Sequence, residues 1–112
     1  METYDLYFVL STALILKTKI QLTMGISVGN VLISYDVESG HKQVKDAMKE
    51  LGYEEYWRET TQSPVFQLPN TTLWHSNKSS NQAIADLKGV CTNLRVKLEK
   101  AVAVRASEFV GV

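Results

Sequence analysis

Cysteine is almost absent from the chain, since Cys91 is the only one among 112 residues. A single thiol excludes an intramolecular disulfide and a zinc site built from several cysteines. Because Cys91 shares one face of a predicted helix with Ile84, Leu87 and Leu94, we interpret it as a small core residue. The lack of disulfides is typical of the reducing cytoplasm, where we expect the protein to be.

An excess of charge of one sign is also absent. The 12 Lys and Arg residues are matched by 12 Asp and Glu residues, which gives a formal net charge of +0. The whole protein therefore has no field that attracts nucleic acid, and any such binding must come from a local basic face and depend strongly on salt. We find no Gly-rich phosphate loop, zinc-ligand spacing or Ser-His-Asp order.

A hydrophobic run long enough to span a membrane is missing as well. The apolar run from Leu6 to Leu16 falls short of the roughly 20 residues that a span needs, and acidic residues, Glu2 and Asp5, precede it where a signal peptide would be basic. We therefore expect no membrane association. Residues 1–25 are interpreted as an N-terminal extension, either an extra strand or helix packed on the core or a leader upstream of a start at Met24. A membrane or export role is the alternative.

Residues 26–112 have the composition and length of one globular domain, and the whole chain is 45% hydrophobic and 21% charged. Hydrophobic periodicity and turn residues predict the order strand, helix, strand, strand, helix, strand. The predicted elements are a strand at 31–36, a helix from about 41 to 52, hairpin arms at 53–59 and 65–74, a helix capped near 79–80, and a strand within 97–112.

This order predicts an α+β fold, a ferredoxin-like βαββαβ sandwich in which both helices cover one face of a four-stranded antiparallel sheet. Pro69 cannot donate a ladder hydrogen bond, so we expect a break or an edge in the second hairpin arm. The opposite sheet face has no helix to cover it. It must meet solvent, the N-terminal segment or another subunit, and a homodimer is the expected solution.

The stretch Asn30–His41 holds the residues best placed for chemistry. Its apolar strand ends at Asp36, a turn follows, and Ser39 is positioned to cap the next helix. A carboxylate at the end of a strand, just before a helix, is suited to metal or phosphate chemistry. The alternative is that Asp36 only caps the turn through backbone N–H groups.

Two short pieces, Tyr35-Asp36-Val37 and Leu51-Gly52-Tyr53, together with the layout of residues 30–105, resemble the small ferredoxin-fold nuclease family of CRISPR adaptation and its relative, virulence-associated protein D. The resemblance implies a homodimer in which the two copies of Asp36 face each other, and cleavage of RNA or DNA with a divalent metal. The metal ligand would then be Asp36 and the expected cofactor Mg²⁺, which one or two carboxylates and a substrate phosphate can hold.

The same resemblance suggests roles for neighbouring side chains. Ser34, two residues back on the same strand face, would orient Asp36 or a water, so that Asp36, Ser34 and His41 form the candidate catalytic set. His41 and Lys42 would hold phosphate where the helix begins.

Candidate nucleic-acid-binding residues are Lys42, Lys45, Trp74 and His75. For the lysines the alternative is an ordinary solvated helix face, and for Trp74 and His75 it is a structural role. Hairpin aromatics such as Trp57 and Phe66 would suit base stacking, or else the core or an interface.

The chain departs from the nuclease family after the first helix, where the family has a Gln-x-Ser-Val-Phe type segment. Gln62-Ser63-Pro64-Val65-Phe66 matches this segment in part but lies further along the chain. This difference keeps open a second function, a non-catalytic dimeric interaction module such as a toxin-antitoxin or regulatory partner that uses the open sheet face. A small-ligand-binding domain with a pocket lined by the hairpin aromatics is a third.

We expect a chain that starts at Met24 to fold, because the predicted core lies entirely within residues 26–112. Circular dichroism and thermal unfolding of the shortened chain, beside the full chain, measure this. Loss of a cooperative transition on removal of residues 1–23 would contradict the interpretation of the N-terminus as an extension.

Overall fold

The computed structural model describes residues 25–112. The predicted apolar run and nearly all of the predicted N-terminal extension lie outside these residues. The elements in chain order are β1 (Gly29–Val37), α1 (His41–Glu50), β2 (Tyr56–Trp57), β3 (Phe66–Gln67), β4 (Thr72–Lys78), α2 (Ser80–Leu94) and β5 (Leu98–Arg105). Neither helix in this part of the chain has the length and apolar character that a membrane crossing requires.

Strand β1 is the centre of the main sheet, which has the order β4-β1-β5 and is antiparallel on both sides. Successive side chains of a strand point to opposite faces. Four alternate residues of β1 are buried under the helices, and the residues between them are partly or fully exposed. The buried set is Val31, Ile33, Tyr35 and Val37.

Both helices pack on this one face. Val44 and Met48 of α1 join Leu87 and Cys91 of α2 in the same buried cluster as the inward residues of β1. Full burial of side chains such as Met48 and Leu87 contributes about 1.5–3 kcal/mol each. The prediction that Cys91 is a core residue is confirmed, since its side chain is buried and free of any disulfide.

The N-termini of the two helices can be compared with the predicted capping residues. The N-cap of α2 is Ser79, which forms a capping box with Gln82, as the sequence predicted for Ser79 or Ser80. The prediction for Ser39 is wrong. The N-cap of α1 is Gly40, in the left-handed conformation at φ 67° and without a side-chain capping bond, because the sharp turn out of β1 needs a residue that tolerates positive φ.

The predicted α+β class, antiparallel sheet and one-sided helices are confirmed, but the described part of the chain gives the main sheet three strands rather than four. Among residues 25–112, only Glu54 pairs with the outer edge of β4, through two backbone hydrogen bonds with Trp74 of 2.8 and 3.0 Å. The chain then leaves the sheet and forms the short β2-β3 hairpin. The predicted break in the second arm is also present, because β3 and β4 are separated at Pro69 and Asn70.

Two buried tyrosines have opposite hydrogen-bonding environments. The Tyr53 hydroxyl donates to Asp86 Oδ2 at 2.8 Å, and Lys78 Nζ lies 2.9 Å from the same oxygen. The Tyr35 hydroxyl has no hydrogen-bond partner among the described residues. Burial, followed by the nearby Cys91 and Glu55, raises the pKa of Tyr35 to about 12. Burial and the bond to Asp86 also raise the pKa of Tyr53.

This contrast predicts different outcomes for the same substitution. Tyr35→Phe removes a buried hydroxyl that has no partner, so we expect the free energy of unfolding to stay equal or to rise by up to about 1 kcal/mol. Tyr53→Phe removes a hydrogen bond to a carboxylate and should lower it by about 1–3 kcal/mol. Urea unfolding of both variants measures the difference, and equal losses in the two would contradict this description of the core.

Candidate functional site

The sheet face opposite the helices carries the candidate site, and we call it the open face. From β1 it receives Leu32, Ser34 and Asp36. In register with these residues, β5 contributes Val104, Val102 and Lys100, and β4 contributes Trp74 and Thr72 opposite the first two. Because the side-chain period of a strand is two, the same register that buries Ile33 under the helices directs Asp36 to this face.

Asp36 is exposed near the end of β1, and its carboxylate forms no hydrogen bond or ion pair within the described part of the chain. It lies in a shallow cleft of about 360 Å³, which we call the Asp36 cleft, together with Ser34, Thr71, Lys100 and Val102. Lys100 is its cross-strand neighbour on β5. The alternative role of a turn cap has no support, because no backbone N–H of the turn donates to Asp36.

Ser34 lies on the same face as Asp36, as predicted, and contacts the neighbouring strand. Its Oγ is 3.3 Å from Thr72 Oγ1, and either hydroxyl can be the donor. Both residues are at least partly buried. The pair therefore links β1 to β4 beside the Asp36 cleft and fixes the position of the Ser34 hydroxyl.

His41 and Lys42 are the first two residues of α1 and are exposed. No hydrogen bond or ion pair joins His41 to Asp36 in residues 25–112, so the predicted catalytic set is not assembled by direct contact. Lys42 Nζ lies 2.7 Å from Asp46 Oδ2, one turn along the helix. That hydrogen bond lowers the pKa of Asp46. Exposed pairs of this kind contribute little to stability and leave the lysine available to solvent.

Lys45 belongs to a charged network between α1 and the loops at both ends of the hairpin. Its Nζ donates to Asn70 Oδ1 at 3.2 Å and lies 3.6 Å from Glu55 Oε1. Lys49 Nζ binds the same carboxylate at 2.6 Å, which lowers the pKa of Glu55 and raises that of Lys49. Because Glu55 offsets the charge of Lys45, this helix face matches the alternative of a salt-bridged surface.

Trp74 and His75 point to opposite faces of the sheet because they are adjacent on β4. The indole N–H of Trp74 donates to the Tyr56 carbonyl oxygen. The ring of His75 contacts Tyr53 edge-on at 4.9 Å, and its Nδ1 accepts the Asn77 N–H at 3.0 Å. Both side chains also line a cleft of about 300 Å³ outside β4. Each of the two side chains therefore makes a structural contact, and of the two it is Trp74 that lies on the open face.

Two features of the open face were not predicted. Lys100 beside Asp36 follows from the β1-β5 register, which no local pattern reveals. The C-terminal segment, residues 106–112, lies beyond the end of β5, and Phe109 stacks on Trp57 with ring centroids 4.0 Å apart and planes at 15°. The sequence signal for this contact is the apolar cluster Phe109-Val110, which lies within the predicted last strand at 97–112, whereas β5 ends at Arg105.

A metal ion at this site would depend on more than one chain or on substrate. Within residues 25–112 no group of three or more His, Cys, Asp or Glu residues is placed to hold a metal. Asp36 alone fits a weakly held Mg²⁺, because this ion keeps several waters and often takes only one or two carboxylates and a substrate phosphate from its surroundings. No second acidic side chain of residues 25–112 lines the Asp36 cleft.

Comparison with known proteins does not assign a family, because no protein-family model, curated protein or solved structure matches the chain.

Asp36 and Asp86 lie in different environments, so the same substitution at each should have different effects on stability. Asp36→Asn should leave the free energy of unfolding within about 0.5 kcal/mol of the parent, because the carboxylate is exposed and has no partner. Asp86→Asn weakens a hydrogen bond and an ion pair and should cost about 1–3 kcal/mol. Thermal unfolding at neutral pH measures both, and a large loss for Asp36→Asn would show that this residue has a structural role.

Proposed function

We propose that the protein is a dimeric, metal-dependent nuclease-like protein of the CRISPR-adaptation or virulence-associated protein D type, which acts on RNA or DNA in the cytoplasm through Asp36. The observation that carries the proposal is the Asp36 carboxylate, which has no partner among residues 25–112 and lies beside Lys100 on the sheet face opposite α1 and α2. The Asp36 carboxylate is exposed, makes no stabilising contact with the described residues and lies next to a cation. It is therefore better suited to binding a metal and a phosphate than to a structural role.

The element order supports a ferredoxin-like fold for this proposal. Two units of strand and helix place both helices on one face, and the last strand pairs with the first. The backbone pair between Glu54 and Trp74 stands where a fourth strand would add to the outer edge of β4. We regard this pair as the remnant of the fourth strand of the sandwich.

Exposed apolar side chains on β5 support a homodimer. Val102 and Val104 are 57% and 49% exposed and lie on the open face in register with Ser34 and Leu32. A two-fold axis through this face would bury the valines of both copies and bring the two Asp36 carboxylates towards each other, since an isologous interface applies the same patch twice. The second acid that a metal site needs would then come from the partner.

Each residue of the Asp36 cleft has a role in this proposal. A bound Mg²⁺ would offset charge on the phosphate and increase the acidity of water. Asp36 would hold it, Lys100 would attract the phosphodiester, and Ser34 would orient the Asp36 carboxylate or a water. His41 and Lys42, at the start of α1, would contact the phosphates of the strand that leaves the cleft.

The second candidate is the non-catalytic dimeric interaction module, such as a toxin-antitoxin or regulatory partner. It is favoured by the same exposed valines together with the lack of a second His, Cys, Asp or Glu among the described residues that line the Asp36 cleft. In that case the open face would serve assembly alone.

Cleavage of labelled RNA and DNA, with Mg²⁺ or with a chelator, separates the two functions. The nuclease proposal predicts metal-dependent cleavage that Asp36→Asn lowers on the order of 100-fold or more, because a metal ligand is lost. Light scattering should show that the variant remains dimeric. Asp46→Asn is the matched control, since Asp46 is an exposed acid whose ion pair within the described residues is with Lys42.

Equal cleavage by the parent and Asp36→Asn would overturn the role of Asp36. No metal-dependent cleavage by a dimeric parent would favour the interaction module. A monomer at all concentrations would contradict both candidates.

A further inference from the structure

A cavity of about 550 Å³ lies on the open face, between the sheet, the β2-β3 hairpin and the C-terminal segment. We call it the aromatic cavity. Its principal lining residues are Leu32, Ser34, Phe66, Thr72, Phe109 and Val110. Its volume falls within the range of pockets that bind small molecules or one unit of a polymer.

Ring contacts fix two walls of the aromatic cavity. Phe109 stacks on Trp57, and the Phe66 ring lies 6.3 Å from Trp57 and 6.2 Å from Phe109 between centroids. The Ala106 N–H donates to the Asn30 carbonyl oxygen at 2.9 Å, which directs the C-terminal segment from β5 across the first residues of β1. The hairpin and the C-terminal segment thus hold each other in place over the sheet.

The cavity also contains polar groups. Ser34 and Thr72, whose hydroxyls are 3.3 Å apart, both line it. Each hydroxyl has one hydrogen to donate and two lone pairs to accept, so their mutual bond leaves donor and acceptor capacity for a ligand. Aromatic rings beside paired hydroxyls suit a flat heterocycle with polar edges better than they suit an aliphatic chain.

The aromatic cavity adjoins the Asp36 cleft. Ser34 lines both, and Asp36 is two residues further along β1, about 7 Å at the usual rise of a strand. A separation of this order joins the phosphate and the base of one nucleotide. The Asp36 cleft also supplies Lys100, whose charge complements a phosphate.

We propose that the aromatic cavity binds an unpaired nucleobase of single-stranded nucleic acid whose backbone passes Asp36 and Lys100. The proposal rests on the nucleic-acid function proposed above and adds a substrate class to it. Phe66 and Phe109 contribute the aromatic surface, and Ser34 and Thr72 contribute hydrogen bonds to the edge of the base. A paired base cannot enter, because it would have to leave its stack, so single strands bind better than duplexes.

Fluorescence anisotropy at low salt, with a chelator present to prevent cleavage, tests the binding of a base in the aromatic cavity. The probes are labelled single-stranded RNA homopolymers of A, U and C and an abasic backbone of the same length. Base-bearing strands should bind the parent more tightly than the abasic strand. Phe109→Ala should weaken the binding of the base-bearing strands by about 5- to 150-fold, which is the usual effect of losing a stacking contact. Their affinity should then equal that of the abasic strand.

Two further variants make the result specific. Leu51→Ala is the matched control, because Leu51 is an exposed apolar residue at the end of α1, outside the lining of the cavity, and the affinity of this variant should stay within about twofold of the parent. Thr72→Val keeps the shape of the side chain and removes one hydroxyl, so it should change the preference among A, U and C. This second variant tests the cavity even if Phe109→Ala displaces the C-terminal segment.

Equal binding of base-bearing and abasic strands by the parent would overturn the proposal, and so would unchanged affinity in both Phe109→Ala and Thr72→Val. If cleavage depends on Asp36 but base discrimination is absent, the nuclease function stands and the base site is wrong. If base discrimination is present without cleavage, the cavity binds single strands in a protein that is not a nuclease.

Discussion

The pairing of β1 with β4 on one side and β5 on the other is the constraint on which the rest of this structure depends. Ile33 is in register with Leu73 and Ala103 on the helix side, while Ser34 is in register with Thr72 and Val102 on the open face. A slip of one residue would move Asp36 under the helices and Ile33 into solvent. Burying an unpaired carboxylate costs several kcal/mol or forces its protonation. The core and the candidate site are therefore specified by one register.

This register divides the small domain into surfaces of different character. The helix side is closed by apolar packing and by the contact of Tyr53 with Asp86 and Lys78. On the open face, the hairpin and the C-terminal segment enclose the aromatic cavity, whereas the β5 side, with its two exposed valines, remains uncovered. The Asp36 cleft lies between these two areas. Assembly and nucleic-acid binding can thus use adjacent parts of one sheet face.

The sequence predicted the features that arise from local signals. The apolar run Val31-Leu32-Ile33 located β1, and the spacing of Val44 and Met48 located α1. Ser79 and Gly52 marked helix ends, because caps act within a few residues. Ser39 was misassigned because the tight turn after β1 selected a left-handed glycine instead of a capping side chain. The fourth strand was over-predicted because the aromatic residues within 53–59 suit a strand, whereas Trp57 packs on Phe109 instead of extending the main sheet.

The candidate site was only partly predictable for a related reason. Asp36 and Ser34 share a face by the period of a single strand, which is visible in the sequence. The neighbours Lys100 and Thr72, and the wall formed by Phe109, are brought there by contacts between residues far apart in the chain. The same holds for Lys45, whose charge is offset by Glu55 across a loop. Only the tertiary register distinguishes a free charge from a paired one.

The central claim is that Asp36 is half of a metal site completed by a second copy of the chain. Calorimetric titration of the metal-free protein with Mn²⁺, together with light scattering to establish the number of chains, tests it most directly. We predict one bound ion for every two chains in a dimer, and loss of that binding in Asp36→Asn. One ion per chain, or binding that Asp36→Asn leaves unchanged, would contradict this claim.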